Sequence, residues 1–333
     1  MRDVAALAHV SVQTVSAVIN GKPGITNETT SRVLEAIQQL GYRPDYTARS
    51  LRRGRTRTIA LFVSDVSNSV LGRMASAAED YARSASYNLV LYNTHDDARR
   101  EMAYINTVAQ RSVDGALFVA AMEPHRGREV LEAAGIPSVT IDRIPEDYDG
   151  PYVALDNIKA GRMAAEHLLS LGHAHLAHIA APFGLRLARE RQQGFVEAIQ
   201  AINPRAHIEL ETVSSWGCRP GYEAMQRLLA RGARPSAVFA ATDHSAIGAM
   251  HAIHEAGMRV PDDISVVGLD NIEEVAYSNP PLTTIRQFLA KMATLGMQML
   301  LDMLEGKELT QKRIIIEPVL IVRQSTAPPR ISR

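Results

Sequence analysis

The side chains whose chemistry points outward most plainly are basic, and they crowd the start of the chain. Residues 1–57 carry nine Lys and Arg against four acids, a net charge of +5, while the remaining 276 residues carry a net −5 that brings the whole to zero. Arg49, Arg52, Arg53, Arg55 and Arg57 fall within nine positions of one another. Guanidinium groups at that density suit the phosphate oxygens of a polyanion, and the acidic remainder would repel one. A basic head on an acidic body therefore restricts any nucleic-acid partner to the head.

Two short amphipathic helices can position such charges. In Asp3-Val4-Ala5-Ala6-Leu7-Ala8 the apolar Val4, Leu7 and Ala8 share one helical face. His9-Val10-Ser11 makes a turn, and Val15, Val18 and Ile19 share a face of a second helix whose free N–H groups Ser11 can cap. Helices this short bury little, but the second of such a pair can be presented to a DNA major groove. A third helix follows Thr26, with Glu28 near its positive end, a stripe of Val33, Leu34, Ile37 and Leu40 predicted to be buried, and Gly41 as its stop. The segment from Pro44 to Gly54 is basic and weakly apolar, a linker or a helix that forms against a partner.

From Thr58 the pattern changes. A continuous apolar run at 59–63 and strand-like segments at 89–92, 115–119 and 138–141, then at 176–180, 208–213, 237–241 and 264–269, alternate with helical stretches such as 160–171 and 188–202. Strands buried on both faces and alternating with helices predict two doubly wound parallel sheets, hence two similar lobes around a cleft. A length of 333 residues is too great for one core and fits two or three domains. The single cysteine, Cys218, precludes an intrachain disulfide, and neither a membrane-length apolar run nor a signal peptide is legible, so a cytoplasmic location is expected. The sequence carries no P-loop, dinucleotide glycine fingerprint, nucleophile elbow or zinc-helix motif, so neither enzymatic activity nor a cofactor is expected. His173-x-His175-x-x-His178 lacks a nearby Cys or carboxylate to complete a metal site, and no metal is expected there.

These segments together resemble the lactose/galactose repressor (LacI/GalR) family of bacterial transcription regulators, over essentially the whole chain. The resemblance rests on Asp3-Val4-Ala5, Val10-Ser11-x-x-Thr14-Val15-Ser16-x-Val18-Ile19-Asn20 and Ala48-Arg49-Ser50-Leu51. It continues through Val113-Asp114-Gly115, Leu171-Gly172-His173, Ile264-Ser265-Val266-Val267-Gly268-x-Asp270, Pro281-Leu282-Thr283-Thr284-Ile285 and Arg323-x-Ser325-Thr326. It implies an α/β protein with an all-α helix–turn–helix head at 1–44, a hinge helix and linker at 45–57, and a core at 58–333 of the periplasmic-binding-protein type. The N-lobe would comprise about 58–156 plus 286–314, and the C-lobe about 157–285 plus 315–330.

By the same resemblance, Val12, Gln13 and Ala17 would read bases, Gln13 through a bidentate pair with adenine and the other two by apolar contact. Thr14, Ser16 and Asn20 of the same motif complete the head's DNA-contacting set. Ala48, Arg49 and Leu51 would enter the minor groove, with Leu51 as the wedge that unstacks a base step, and Arg52 would meet phosphate. The implied partners are a pseudo-palindromic double-stranded operator, a second copy of the chain (a homodimer, since no leucine-rich extension follows Arg323) and a small-molecule effector. Effector contacts map to Val70, Leu71, Asn93, Asp142, Arg191, Trp216, Thr242 and Asp270, a set suited to a polyhydroxylated ring. Arg186, Arg189 and Arg191 add more cation than a neutral sugar requires, so Arg189 joins the expected set. A sugar acid or sugar phosphate, a neutral sugar, a nucleobase and the absence of any effector all stay open. His244, His251 and His254 share a helical face in the region expected to pack against the second copy.

Overall fold

A computed structural model of the protein describes residues 1–19, 21–42, 55–110, 113–182 and 184–330. The chain divides into two compact units, Met1–Thr56 and Arg57–Arg333. In the first, α1 (Arg2–Leu7), α2 (Val12–Ile19) and α3 (Asn27–Gln39) enclose a small core of Val4, Ala5, Ala8, Val15, Val33 and Ala36. Ser11 Oγ accepts the Thr14 N–H at 3.0 Å and Thr26 Oγ1 accepts the Thr29 N–H at 3.3 Å, so both helix starts are capped by short hydroxyl side chains. Gly41, at a φ of +55°, turns the chain out of α3. Leu7, Leu34 and Leu40, expected on buried faces, are instead exposed within this unit, because three helices this short leave room for little beyond Val and Ala at their contacts.

The second unit is built on two six-stranded sheets. β1 (Thr58–Val63), α4 (Ser69–Ser84), β2 (Asn88–Asn93), α5 (Ala98–Ala109), β3 (Gly115–Val119), α6 (Pro124–Ala133), β4 (Ser138–Ile141) and β5 (Tyr152–Leu155) open the N-lobe. The C-lobe follows with α7 (Asn157–Ser170), β6 (His175–Ala180), α8 (Arg186–Ile202), β7 (His207–Thr212), α9 (Cys218–Ala230), β8 (Ala237–Ala240), α10 (Asp243–Glu255), β9 (Ser265–Asp270) and β10 (Thr283–Arg286). The chain then returns to the N-lobe for α11 (Leu289–Leu304) and β11 (Arg313–Ile316), and ends in the C-lobe with β12 (Val319–Ile321). The strand orders are β11-β5-β4-β3-β1-β2 and β12-β10-β9-β8-β6-β7, so the two lobes share one layout. Every pairing is parallel except β10 with β12. The chain thus passes between sheets after β5, after β10 and after β11.

Continuous apolar runs mark the inner strands, as expected of parallel sheets covered on both faces. At the margins the same residue types meet water: Val90 and Leu91 on β2 and Leu210 on β7 are exposed, because each of these edge strands has a neighbour on one side only.

The C-lobe helices approach one another closely at glycines. A Cβ on Gly161 of α7 would lie 2.0 Å from Arg191 O, and one on Gly194 of α8 would lie 1.9 Å from Ile158 O. Gly221 of α9 and Gly248 of α10 make the equivalent contact, with Ser245 O and Cys218 O at 2.3 and 1.9 Å from their would-be Cβ atoms. No L side chain fits against a backbone carbonyl at those distances, so the helices must separate to admit a methyl group. Gly194→Ala is expected to lower unfolding free energy by about 1–3 kcal/mol, with Gly184→Ala, which meets open space, near neutral; urea unfolding of the two variants checks this.

Candidate functional site

A cleft lies where the C-terminal ends of the two sheets face one another. Its walls include Asn68, Val70, Leu71, Asp142 and Arg143 from the N-lobe, and Leu187, Arg191, Trp216, Thr242, His244 and Asp270 from the C-lobe, with Gln287 on the second passage between them. Asp142 follows β4 and Asp270 ends β9, strands that hold the same place in their respective sheets. Both residues have left-handed backbone, at φ values of +77° and +131°. Strained backbone of this kind persists only where its surroundings fix it, and it concentrates at binding sites. The two carboxylates come from equivalent positions in the two lobes.

Arg191 lies between their charges. Its guanidinium is buried, its Nε donates to Asn157 Oδ1 at 2.9 Å, and its Nη1 donates to Ala241 O at 2.7 Å. Burial pulls its pKa below the ordinary arginine value, while Asp270, Asp142 and Glu190 oppose that shift. Burial raises Asp142 above the usual carboxylate value, against the pull of Arg191 and Arg143. Asp270 is pushed well up, first by burial and then by the neighbouring Asp243 carboxylate, with Arg191 and Gln287 acting the other way. Asp243 is itself buried and raised; it accepts the Thr284 hydroxyl at 2.5 Å and the Ile272 N–H at 2.9 Å.

Two acceptors of the cleft residues lack a protein donor, the half-exposed Asp142 carboxylate and the buried Gln287 Oε1. Asp142 receives no side-chain hydrogen bond among the described residues, and Gln287 Oε1 is buried without a partner there. Gln287 Nε2 donates to the Asp270 carboxylate. Other polar groups are already committed. Thr242 Oγ1 caps α10 by accepting the Ser245 N–H at 3.1 Å, and Asn68 Oδ1 caps α4 by accepting the Val70 N–H at 3.0 Å. Trp216 has the Arg143 guanidinium 5.2 Å from its ring centroid, a contact between lobes.

Two residues expected in the cleft lie elsewhere. Asn93 ends β2 and ties the loop after β1 to the loop after β2, accepting the Val66 N–H at 3.3 Å and meeting His95 Nε2 at 3.2 Å. Arg189 is directed to Glu146 and to Gly184 O, outside the cleft lining. Arg186 pairs with Glu190 at 2.6 Å, so this part of the expected surplus of positive charge is neutralised beside the cleft. His244, expected to pack against a second copy, instead lines the cleft, with Nε2 3.5 Å from Ser69 Oγ of the N-lobe, whereas His251 and His254 are exposed. Asn68, Arg143, Leu187, His244 and Gln287 escaped the sequence reading. Only Arg143, one residue beyond Asp142, carried a usable signal there.

In the first unit, Val12 and Gln13 are exposed at the start of α2, and Thr14, Ser16 and Ala17 are half-buried. Asn20, Ala48, Arg49, Leu51 and Arg52 lie outside the described residues.

Residues 1–45 match the family of bacterial regulatory proteins, lacI family, and residues 165–326 match a periplasmic binding protein-like domain. The HTH-type transcriptional repressor PurR of Mannheimia succiniciproducens is 34% identical over 98% of each chain. The chain belongs to the LacI family. The ribose operon repressor of Escherichia coli is 32% identical over 98% of this chain and 99% of its own. Among solved structures, the Lac repressor dimer bound to operator and the anti-inducer ONPF superposes with a TM-score of 0.89 at 26% identity, over 98% of each chain. The molecule is thus a LacI-family DNA-binding transcriptional repressor rather than an enzyme. No helix among its described residues is long and apolar enough to cross a membrane.

Arg191→Met is expected to cost this LacI-family protein about 3–5 kcal/mol of stability, since it leaves buried carboxylates without their cation; denaturant unfolding reads it. A second expectation concerns His178, buried against Phe239 and held by burial at a pKa of about 4, with its ring N–H donating to Phe239 O at 2.9 Å. An unfolded histidine takes up a proton near pH 6.5, so the stability contributed by the neutral buried ring is present at pH 7 and lost as pH falls toward 4. Wild type should therefore lose about 2–3 kcal/mol more than His178→Leu between pH 7 and 4.5. The opposite-signed contributions of Asp243 and Asp270 are common to both proteins and cancel in that comparison.

Proposed function

We propose that this repressor is ligand-responsive, with a neutral, hydroxyl-rich ring of the sugar class as its effector in the inter-lobe cleft. The observation that carries the reading is the pair of undonated acceptors, the Asp142 carboxylate and Gln287 Oε1. A hydroxyl group supplies a donor to Asp142, and to Gln287 Oε1 once the lobes part, whereas a carboxylate or phosphate ligand would set acceptor against acceptor. The pairing of Arg186 and Arg189 with Glu190 and Glu146 weakens the case for an anionic sugar in the same direction. The name of the ribose operon repressor agrees with a carbohydrate. The name of the PurR relative keeps a purine base as the second reading, because its ring N–H groups are also donors.

The cleft encloses about 40 Å³, and Asp142 and Leu187 also wall an adjoining recess of about 240 Å³. A benzene-sized ring needs a cavity near 150 Å³, so seating a sugar between Asp142 and Asp270 requires the lobes to part or tilt. Coupling follows from that geometry, because an effector with different affinities for two lobe arrangements shifts their populations. The readout would be a homodimer on a pseudo-palindromic operator in control of carbohydrate-utilisation genes. Val12, Gln13 and Ala17 would face base edges, Thr14, Ser16 and Asn20 the same groove, Arg52 the phosphates, and the Ala48–Arg49–Leu51 hinge the minor groove.

Selection of operators from random duplexes by the purified protein, repeated with neutral sugars, their acids and phosphates, and purine bases, tests these assignments together. A palindrome whose enrichment changes with a neutral sugar is expected, with the direction of change separating induction from corepression. A response to a purine alone favours the second reading, and a response to a sugar acid over its neutral parent overturns the donor argument. On the selected site, Gln13→Ala should weaken binding by about 1–3 kcal/mol, while Asp142→Ala should retain operator affinity and lose the ligand response.

A further inference from the structure

At the end of the C-lobe sheet opposite the cleft, three side chains converge that the DNA and effector roles do not use. β6 and β7 are parallel and in register from His175 opposite His207 to Ala180 opposite Thr212. Successive side chains of a strand alternate faces, so His207 and Glu209 of β7 share one face, and His175 of β6 lies beside His207 on that same face. The two imidazoles meet edge-on with centroids 4.7 Å apart. His207 Nε2 is 2.9 Å from Glu209 Oε1, and His175 Nε2 is 3.9 Å from that same oxygen. One ligand-competent atom from each of the three residues falls within 4.8 Å of the other two.

The arrangement is incomplete as a hydrogen-bond network. His175 Nε2 is buried and has no hydrogen-bond partner among the described residues. A single His207–Glu209 bond uses one of the two ring nitrogens that face the carboxylate and leaves the buried His175 Nε2 orphaned, which is costly for that atom. Arg231, whose charge also acts on Glu209, is held by Glu211 at 3.2 Å, and Arg227 binds the same Glu211 carboxylate.

We infer that His175, His207 and Glu209 form a binding site for one divalent transition-metal ion of the zinc class. Zinc takes imidazole nitrogen and carboxylate oxygen at about 2.0–2.2 Å in tetrahedral geometry, which places neighbouring donor atoms about 3.4 Å apart. The observed separations of 2.9 and 3.9 Å bracket that value. The third pair of donor atoms lies within 4.8 Å, and rotation of the exposed His207 ring draws the three into a ligand set. Two imidazoles and one carboxylate select Zn, Ni, Cu or Co over Mg and Ca, which favour all-oxygen shells. The half-exposed position leaves room for a water as fourth ligand. The ion would stitch the edge strand β7 to β6.

The site was hidden from the sequence because its ligands come from two strands. The suggestive spacing along the chain, His173-x-His175-x-x-His178, dissolves: His173 is bonded to Ser236 Oγ and Ala327 O, and His178 to Phe239 O.

The test uses full-length protein without a histidine tag, freed of metal by EDTA dialysis and titrated calorimetrically with zinc chloride. One saturable equivalent per chain is expected, together with a higher thermal midpoint in zinc that magnesium does not reproduce. His207→Ala and Glu209→Gln should each weaken binding at least tenfold, since even the loss of an outer partner of a metal ligand costs about 10–100-fold. His251→Ala, at another exposed histidine paired with a glutamate, should bind as wild type does. Both test residues are on an edge strand, so unchanged thermal midpoints without metal would show that the variants fold. Absence of a saturable equivalent in wild type, or variants that bind zinc as wild type does, overturns the assignment.

Discussion

Everything around the cleft is arranged to make one buried positive charge tolerable. Removing a guanidinium from water costs several kcal/mol unless its donors and its charge are both answered. Asn157 and Ala241 answer the donors of Arg191, and Asp142 and Asp270 supply the opposing charge. The burden then passes outward. Asp270 needs Gln287 and the Asp243 N–H, and Asp243 needs Thr284 and Ile272. Because Asp142 belongs to one lobe and Asp270 to the other, the balance depends on both lobes being present.

Glycine is what allows this arrangement to exist. Gly161 and Gly194 let α7 and α8 approach until backbone meets backbone, and this contact sets the position of Arg191 at the first turns of α8. The matching contacts of Gly221 with Ser245 and of Gly248 with Cys218 hold the starts of α9 and α10, where Trp216, Gly217 and Thr242 enter the cleft. Helix starts carry partial positive charge, so drawing them together at the C-terminal ends of the strands favours the carboxylates that face them. The layout is that of open α/β sheets in general, with the ligand crevice beyond the carboxyl ends of the strands.

What could be read from the sequence divides along physical lines. Continuous apolar runs such as 59–63 and 115–119 are strands because sheets covered on both faces demand them. The caps Ser11 and Thr26 are legible because capping is local. Burial was less legible wherever it depended on a third element: Leu34 carries the period of a buried stripe yet is exposed, and Leu210 looks like core yet sits on an edge. In the cleft, Asp142, Arg191 and Asp270 were legible through family resemblance, and the acceptor left by Gln287 was not, since a residue in a passage between lobes follows no period. The pairing of Arg189 was not legible, because its sequence neighbourhood shows the charge but not Glu146, 43 residues away. The His175, His207 and Glu209 grouping depends on strand register, which a single chain does not spell out.

The order in which the strands are made has a consequence for the newborn chain. β5 is an inner strand of the N-lobe sheet only because β11 lies against it, and α4 packs against α11. Synthesis proceeds at about 5–20 residues per second, so the roughly 160 residues separating β5 from β11 keep that hydrogen-bonding edge uncovered for about ten to thirty seconds. Through the whole translation of the C-lobe, the nascent N-lobe offers an open strand edge and an uncovered helix face to whatever is nearby. Ribosome-associated holdases would find their strongest claim on this protein in that interval.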